Sequence, residues 1–384
     1  MKVPDERAMS DRQKTDSRLL MLERAAERLA VLCPPVCPCL LELEKCVEGF
    51  VARDVFATQC LPAADVAARD GFAVSSLDLI GASSFCPALL KAAPQRVSVG
   101  QALPDGFDCV IDTGCVDLSG PPFAISVEAH PGEGARRIGS DASAGSVLML
   151  AGMRFSAAAV TLLQMARIET VAVRRALVRL VIVPAVDGAS HTGELIAALM
   201  QETGAVLERV VCASRNRDDV ALHLAAAGCD LLITIGGTGT GPDDHTVEAL
   251  REAGENVAHG LALSQGSTIA IGEVRSKPVI CLPGRFDGAL AGWIALVMPA
   301  LQSLCFARPA VELESAPLTR KITSAAGMTD VVLLERTQAG WGPSACGEMS
   351  LAQALRADGY LLVSSGSEGL AEGALVRPLP LRGG

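Results

Sequence analysis

The feature that most constrains the fold is a run of alternating strands and helices over residues 177–307. Its first segment, Leu177 to Val186, is an apolar stretch rich in Val and Ile and broken only by Arg179, which is typical of a parallel strand buried on both faces. Further strands are predicted over Val206–Ala213, Asp230–Ile235 and Lys277–Leu282, and helices over His191–Gly204, Arg217–Ala227, Asp244–Ala253 and from about Asp287. This alternation with short connections predicts a doubly wound α/β sheet. Right-handed crossovers place the loops that follow its strands at one edge, where such folds bind ligands.

The remaining segments predict a multi-domain α/β plus β protein. Residues 1–16 are polar and charged, and we expect a flexible tail. Residues 17–60 and 140–176 predict a helical linker domain, with helices over Ser17–Leu32, about Leu40–Asp54, and Ala157–Arg167. Residues 61–139 predict an inserted β-rich domain, with strands near Arg96–Val99, Cys109–Thr113 and Ala124–Ala129. Residues 308–384 predict a small C-terminal β domain, with strands over Asp330–Glu335, Gly359–Ser364 and Gly373–Leu379.

Charge and composition exclude two classes of partner. The chain has 33 Lys and Arg against 43 Asp and Glu, and only 3% aromatic residues, so a nucleic-acid surface is not expected. The N-terminus has no apolar signal segment, and the apolar stretch Leu290–Ala307 contains Pro299 and Gln302. We therefore expect a cytoplasmic protein with reduced thiols and a buried helix in place of a membrane span. Cys33, Cys37 and Cys39 are interpreted as small buried or incidental thiols.

A glycine-rich loop follows the strand that ends at Ile235. It comprises Gly236, Gly237, Thr238, Gly239, Thr240, Gly241 and Pro242, and is followed by Asp243 and Asp244. Four glycines let backbone amides converge on an anion, while the carboxylates indicate a divalent cation that bridges them to a phosphate. The simpler alternative is a tight turn with an Asp as helix cap. No Walker lysine is present, so the loop is not a P-loop.

Other candidate groups lie at the same predicted edge. Pro283, Gly284 and Arg285 follow the last strand, where Arg285 is either an anion partner or a solvated side chain of a Pro-Gly turn. Asp187 closes the first strand, and Asp218 and Asp219 open the helix after the second. Together with Asp244 they predict a carboxylate cluster for Mg²⁺. Alone, each is explained as a cap.

A third loop lies outside the α/β region, over residues 62–74. It contains Asp65 and Asp70, either as a general acid/base pair or as two capping residues of a turn. Spacing alone favours the turn.

These loops, in this order, resemble those of the molybdopterin molybdenumtransferase family (MoeA in bacteria, the E domain of gephyrin). The similarity runs from about Leu19 to Leu381. The matching segments are DVAARDGFAV, ALPDGFDCVI, ARRIGSDASAG, GGTGTGPDDHT and LPGRFDGAL. The resemblance implies that the α/β domain is of the MoaB/Mog type and that the subunit forms a homodimer. It also implies a pterin site between this domain of one subunit and the Asp loop of the other.

The resemblance also implies an activity and its residues. The family inserts molybdate into adenylylated molybdopterin with Mg²⁺ and releases AMP. By motif match, Asp65 falls on the catalytic Asp, Asp218 and Asp244 on cation ligands, and Asp141 on the Asp of an Arg-x-x-Gly-Glu-Asp segment. A molybdoenzyme or another cofactor-biosynthesis protein is the implied partner.

Several family residues differ in this chain. Gly188 stands where the family has a cation-binding Glu, and Ser264 to Thr268 (SQGST) stands where it has Lys-Pro-Gly-Lys-Pro. Arg285, Arg136 and Arg137 are candidates to replace the lysines. The retained Asp65, Asp244 and glycine-rich loop favour an enzyme. The lost Glu and lysines favour the alternative, a catalytically impaired paralogue that binds or carries molybdopterin or a partner protein.

Overall fold

A six-stranded mixed sheet forms the centre of the molecule in the computed structural model, which describes residues 19–47, 49–188, 190–226 and 228–381. We number its elements along the chain. The strands are β1 (Leu177–Ile182), β2 (Val206–Val211), β3 (Leu231–Ile235), β4 (Glu255–His259), β5 (Ala270–Val274) and β6 (Lys277–Leu282). Their spatial order is β2-β1-β3-β6-β5-β4. The strands β2, β1, β3 and β6 run parallel to one another, β5 runs antiparallel to β6, and β4 runs antiparallel to β5.

Helices cover both faces of this sheet, as the alternation predicts. They are α1 (His191–Glu202), α2 (Arg217–Leu224), α3 (Thr246–Ala253) and α4, whose segments Phe286–Gly292, Trp293–Val297 and Met298–Cys305 run on as one helix with a π-helical middle. One face packs Ile196 and Met200 of α1 and the apolar side of α4 against β1, β3 and β6. The other packs Val220 of α2 and Leu250 of α3. The doubly wound prediction is confirmed.

Helix α4 is long and apolar enough to cross a membrane, but 78% of its most apolar window is buried inside the protein. Leu290, Ile294, Leu296 and Leu301 lie in the main core. The expectation of a buried core helix at this position is confirmed.

The N-terminal segment joins the same core. The helix Leu22–Leu32 buries Leu22, Ala25 and Leu29, which share the cluster with α4. The predicted helix is thus present from Leu22 onward, whereas Leu20 forms a bridge with Leu261 in place of a helical turn. The predicted tail over residues 1–16 lies outside the described residues.

The predicted helix over Leu40–Asp54 is wrong. This segment forms the strands Cys39–Glu42 and Phe50–Val51, both paired antiparallel with Thr170–Arg174, and the strand Val55–Phe56, paired with Val147–Met149. Leu43–Lys45 is a single 3₁₀ turn. Pairing with a partner more than 100 residues away, which buries Val171 and Val173, overrides the local helical pattern. Ala157–Met165 is helical as expected, with Ser156 as its N-cap.

Residues 61–142 form a β-rich module, where the sequence predicts a β-rich domain over residues 61–139. Its strands are Val66–Ala67, Gly71–Val74, Ala88–Leu90, Gln95–Val97, Cys109–Ile111, Val116–Asp117, Phe123–Ile125 and Ala135–Arg136. Phe72, Leu79, Ile111 and Ile125 form its own core. A bridge between Leu61 and Ala142 joins the two ends of the module.

The C-terminal part is a small β structure, also as predicted. A four-stranded sheet has the order Gly340–Ala345, Asp330–Thr337, Gly359–Val363, Leu379–Pro380. Two strand pairs, Ala316–Pro317 with Leu375–Val376 and Ile322–Thr323 with Gly369–Leu370, and the helix Leu351–Arg356 complete it. The limits of the four parts along the chain stay a prediction.

Candidate functional site

A cavity of about 580 Å³ opens at the carboxyl ends of β1 and β3. These two strands mark the point at which the strand order reverses, because β1 leads outward to β2 whereas β3 leads toward β6. Ligands of doubly wound sheets bind at such a switch point. The predicted groups in its wall are Asp187, Gly236, Gly237, Thr238, Gly239, Asp244, Pro283, Gly284 and Arg285. The location thus agrees with the sequence prediction.

The glycine-rich loop is folded tightly against the start of α3. Gly236 and Gly237 have φ angles of 99° and 67°, a region that favours glycine. A Cβ at Gly239 would lie 2.5 Å from Asp244 Oδ2. Thr246 holds the turn closed, since its hydroxyl donates to the Gly236 carbonyl (2.8 Å) and its N–H to the Gly237 carbonyl (3.0 Å). Gly236, Gly237 and Gly239 therefore line the cavity with backbone alone.

The N-terminus of α1 forms a second wall. Ser190, His191, Thr192 and Gly193 line the cavity at the first turn of this 12-residue helix. The first N–H groups of a helix lack intrahelical acceptors and carry the positive end of its dipole. A Cβ at Gly193 would press on Ile182 of β1, so glycine lets this turn sit close to the strand end. The wall is suited to an anion.

Arg215, which spacing did not single out, brings a cation to the cavity from the loop after β2. Its Nη1 donates to the Pro184 carbonyl (2.6 Å) and its Nη2 lies 3.1 Å from Asp244 Oδ1. Its Nε is buried and has no hydrogen-bond partner among the described residues. The guanidinium is thus fixed by two neighbouring loops and lines the cavity with unused donor capacity.

Arg285 lies at the mouth of the cavity and is paired within its own loop. Its Nε and Nη2 bind the two carboxylate oxygens of Asp287 at 2.9 and 2.7 Å. The Arg285 side chain is 65% exposed, whereas that of Asp287 is 8% exposed. The bidentate pair holds the start of α4 and leaves one face of the guanidinium toward solvent.

Residues 264–268 close the floor. Ser264, Gln265, Ser267 and Thr268 line the cavity. Thr268 Oγ1 lies 3.3 Å from the buried Thr238 Oγ1. Gln265 Nε2 donates to the carbonyls of Val331 (3.1 Å) and Gly347 (2.8 Å) in the C-terminal part. The floor is polar but uncharged and is tied to the C-terminal sheet.

The predicted three-carboxylate cluster is not formed. Asp187 and Asp244 line the cavity, but Asp218 does not; its side chain is 87% exposed and paired with Arg217. The three side chains are not among the groups of described residues whose ligand atoms lie within 4.8 Å of one another. The reason is helical geometry, because one step along the first turn of α2 rotates the side chain by about 100° and places Asp219, not Asp218, inward.

Asp65, Asp70 and Asp141 lie in the inserted module and not in the lining of this cavity. Asp65 Oδ1 accepts from the Ile138 N–H (2.6 Å) and Asp70 Oδ1 from the Val99 N–H (2.9 Å), while Asp141 is paired with Arg136. Pairing of Val66–Ala67 with Ala135–Arg136 brings Asp65 and Asp141 onto adjoining segments. Within one chain these carboxylates therefore lie apart from the cavity that Asp187 and Asp244 line.

Thr240, Gly241 and Arg137 also lie outside the lining. Thr240 and Gly241 are on the exposed outer side of the glycine-rich turn, where the Gly241 N–H donates to Asp244 Oδ2 (3.1 Å). Arg137 is exposed in the inserted module. The signal that was missed for α1 was the position of Ser190 and Thr192 directly after the first strand. For Arg215, the signal in the sequence was its position after the second strand.

Comparison with known proteins gives two family matches. Residues 20–166 match the model described as the MoeA N-terminal region (domain I and II). Residues 185–303 match the model described as a probable molybdopterin binding domain. Together the two cover the N-terminal part, the inserted module and the α/β domain that carries the cavity.

Relatives and solved structures agree over most of the chain. A putative molybdopterin biosynthesis protein of Methanocaldococcus jannaschii is 24% identical over 88% of this chain and 90% of its own length. Molybdopterin molybdenumtransferase 2 of Mycobacterium tuberculosis is 27% identical over 79% and 84%. The structure of a molybdopterin biosynthesis MoeA protein from Pyrococcus horikoshii has a TM-score of 0.70 at 20% identity, covering 94% of this chain and 99% of that one.

Proposed function

The chain belongs to the molybdopterin molybdenumtransferase (MoeA) family, a family of enzymes in molybdenum cofactor biosynthesis, and on this premise we propose that it inserts molybdate into adenylylated molybdopterin and releases AMP. The observation that carries the proposal is the cavity at the switch point of a family-matched molybdopterin-binding domain. Its backbone-lined wall, helix N-terminus and guanidinium suit a phosphate-bearing ligand.

Each wall of the cavity has a proposed role. The loop Gly237–Gly239 and the first turn of α1 hold phosphate oxygens through backbone N–H groups. Arg215 supplies a positive charge that its contacts with Pro184 and Asp244 fix at the cavity wall. The polar floor at Ser264–Thr268 offers hydroxyl and amide groups to the remaining polar atoms. Arg285 borders the entrance, where it meets the more exposed part of the ligand.

Magnesium is proposed on a smaller set of ligands than the sequence predicts. Two carboxylates, Asp187 and Asp244, line the cavity, and Mg²⁺ in proteins is commonly bound by one or two carboxylates together with substrate phosphates. Asp244 already accepts from Arg215 and Gly241, so the residues fit an ion that arrives with the phosphate better than a preformed three-carboxylate site. Such an ion would neutralise phosphate charge.

We further propose that the chain works as a homodimer. Asp65 and Asp141 lie on adjoining segments but outside this chain's own cavity lining. The resemblance implies an arrangement in which the Asp loop of one subunit lies beside the α/β domain of the other, and this supports the proposal. In that arrangement Asp65 orients molybdate or the water that attacks the adenylate, so that a P–O bond breaks and AMP leaves. Asp70 and Arg137 lie on the same module.

The proposed setting is the cytoplasm, with a molybdoenzyme or a second cofactor-biosynthesis protein as recipient of the product.

One observation favours the non-catalytic alternative. The floor at Ser264–Thr268 is uncharged, and the two arginines that line the cavity, Arg215 and Arg285, are already in ion pairs. A carrier needs to hold its pterin but does not need to stabilise the charge that develops during adenylate hydrolysis.

Binding to the cavity can be tested with molybdopterin itself. Wild-type protein, Arg215→Met and the control Arg251→Met, on the exposed surface of α3, are passed through gel filtration with molybdopterin, and the co-eluting pterin is measured by fluorescence. We expect at least tenfold weaker binding for Arg215→Met alone. Equal binding by all three proteins contradicts the assignment of this cavity.

A further inference from the structure

A mixed cluster of metal-ligand side chains lies beside the cavity loops. Cys212 follows β2, and Asp219 and His223 lie one turn apart on α2. The Cys212 Sγ, a carboxylate oxygen of Asp219 and a ring nitrogen of His223 all lie within 4.8 Å of one another. Among the described residues, this is the group of three or more Cys, His, Asp or Glu side chains that meets this distance.

The local fold holds the three groups in place before any ligand is considered. Asn216 caps α2 by accepting from the Asp219 N–H (2.8 Å). Asp219 Oδ2 accepts from the Ser214 N–H (2.7 Å), which leaves Oδ1 toward His223 at 3.6 Å from Nε2. Cys212 is buried in the core beside Val220 and Leu224, and its N–H is tied to Ile182 of β1. Hydrogen bonds therefore hold both Asp219 and the backbone of Cys212 in place.

We propose that Cys212, Asp219 and His223 bind one Zn²⁺ ion. Zinc takes sulfur, nitrogen and oxygen ligands at roughly 2.0–2.3 Å in a tetrahedron, which separates neighbouring ligand atoms by about 3.3–3.8 Å. The measured Oδ1–Nε2 distance of 3.6 Å falls in this range. Three protein ligands leave the fourth position for water or another small ligand. A thiolate and a carboxylate together balance the charge of the ion.

Binding of Zn²⁺ requires the Cys212 thiol to lose its proton, because the thiolate is the zinc ligand. When Zn²⁺ binds, the S–H bond breaks, a Zn–S bond forms and the proton passes to solvent. The binding of Zn²⁺ therefore provides the free energy that removes the proton from the buried thiol.

The site is distinct from the cavity but connected to it. Cys212, Asp219 and His223 are not among the residues that line the cavity in the described part of the chain. The loop between Cys212 and Asp219 carries Arg215, which does line it. Zinc therefore clamps both ends of the segment that presents Arg215. An ion bound only to the native state also raises thermal stability.

The test measures metal binding to the full-length, chelator-stripped protein. Exposed Cys37 and Cys39 are replaced by Ser in every sample, so that they do not compete for the ion. Zn²⁺ is titrated against a chromophoric chelator, and Co²⁺ is used in parallel for its thiolate charge-transfer and tetrahedral absorption bands. Cys212→Ser and the half-buried His223→Gln are compared with Cys229→Ser, a buried cysteine of the same core.

We expect one tight Zn²⁺ per chain, a thiolate band with Co²⁺, and at least tenfold weaker binding in Cys212→Ser and in His223→Gln. Cys229→Ser is expected to bind like its parent. If the Cys212→Ser variant fails to fold, the Zn²⁺ affinity of the His223→Gln variant still tests the proposal. No stoichiometric Zn²⁺ in the parent, or equal affinity in all the variants, overturns the proposal, and neither result bears on pterin binding.

Discussion

The guanidinium of Arg215 lies 3.1 Å from the carboxylate of Asp244, although the two residues follow different strands of the central sheet. Their side chains are 24% and 22% exposed. Arg215 also donates to the Pro184 carbonyl after β1, so one side chain connects the loops that follow β1, β2 and β3. The glycine-rich turn and the cationic wall of the cavity are thereby fixed to each other.

A double-mutant cycle measures this connection. Because the pair is largely shielded from solvent, we expect Arg215→Met and Asp244→Asn to show a coupling of about 1 kcal/mol in the free energy of unfolding. Urea unfolding of the two single variants and the double variant gives the value. Strictly additive effects would mean that the contact does not stabilise the fold.

Gly239→Ala tests the closeness of the glycine-rich turn to Asp244. The new Cβ would meet Asp244 Oδ2 at 2.5 Å, so the carboxylate must move away from the turn. We expect a loss of about 1–2 kcal/mol in stability and weaker pterin binding. Gly366→Ala is the control, since its Cβ meets nothing within 4 Å. Similar behaviour of the two variants would contradict the close contact.

The sequence predicted correctly the parts of the fold in which the buried residues follow the local pattern of apolar residues along the chain. β1, β3 and β6 are mostly apolar because helices cover both faces. The bounds of β3 and β6 were predicted to within one residue, whereas β1 ends at Ile182 and not at the predicted Val186. The strand Cys39–Glu42 was missed because its partner Thr170–Arg174 is far along the chain. Asp218 and Asp219 are neighbours whose side chains point in different directions around the helix, and the conformation of its loop sets the position of Arg215. The spacing of residues in the sequence predicts neither the side-chain direction nor the loop conformation.

Ser267→Lys tests what the uncharged cavity floor costs in affinity. Ser267 is exposed and lines the cavity at a position where the resembled family has a lysine. An added ammonium group should strengthen binding of a phosphate-bearing pterin by roughly 0.5–1 kcal/mol at low salt, and the gain should shrink as salt is added. Ser364→Lys, exposed in the C-terminal part, controls for net charge. Equal gains in both variants would show a non-specific charge effect.

Asp108 makes the stability of the inserted module depend on pH. Partial burial acts to raise the pKa of Asp108, but hydrogen bonds from the Ser76 hydroxyl and N–H (both 2.7 Å) outweigh it, so the pKa is lowered. A pKa lower in the folded than in the unfolded chain gives stability that is present above the unfolded value and lost as pH falls through the folded value.

Asp108→Asn should therefore destabilise the protein at pH 7, and the difference from wild type should narrow below about pH 4. Urea unfolding at both pH values measures this, with the exposed Asp105→Asn as control. A difference that stays constant with pH would show that the charge of Asp108 is not involved.

AMP release from adenylylated molybdopterin, in the presence of molybdate and Mg²⁺, tests the central claim most directly. The wild-type chain is predicted to release AMP well above background. Asp65→Asn, which keeps an acceptor for the Ile138 N–H but not the charge, should lower the rate at least 100-fold while pterin binding remains. Tight pterin binding by the wild-type chain with no AMP above background would contradict the enzyme and leave the carrier.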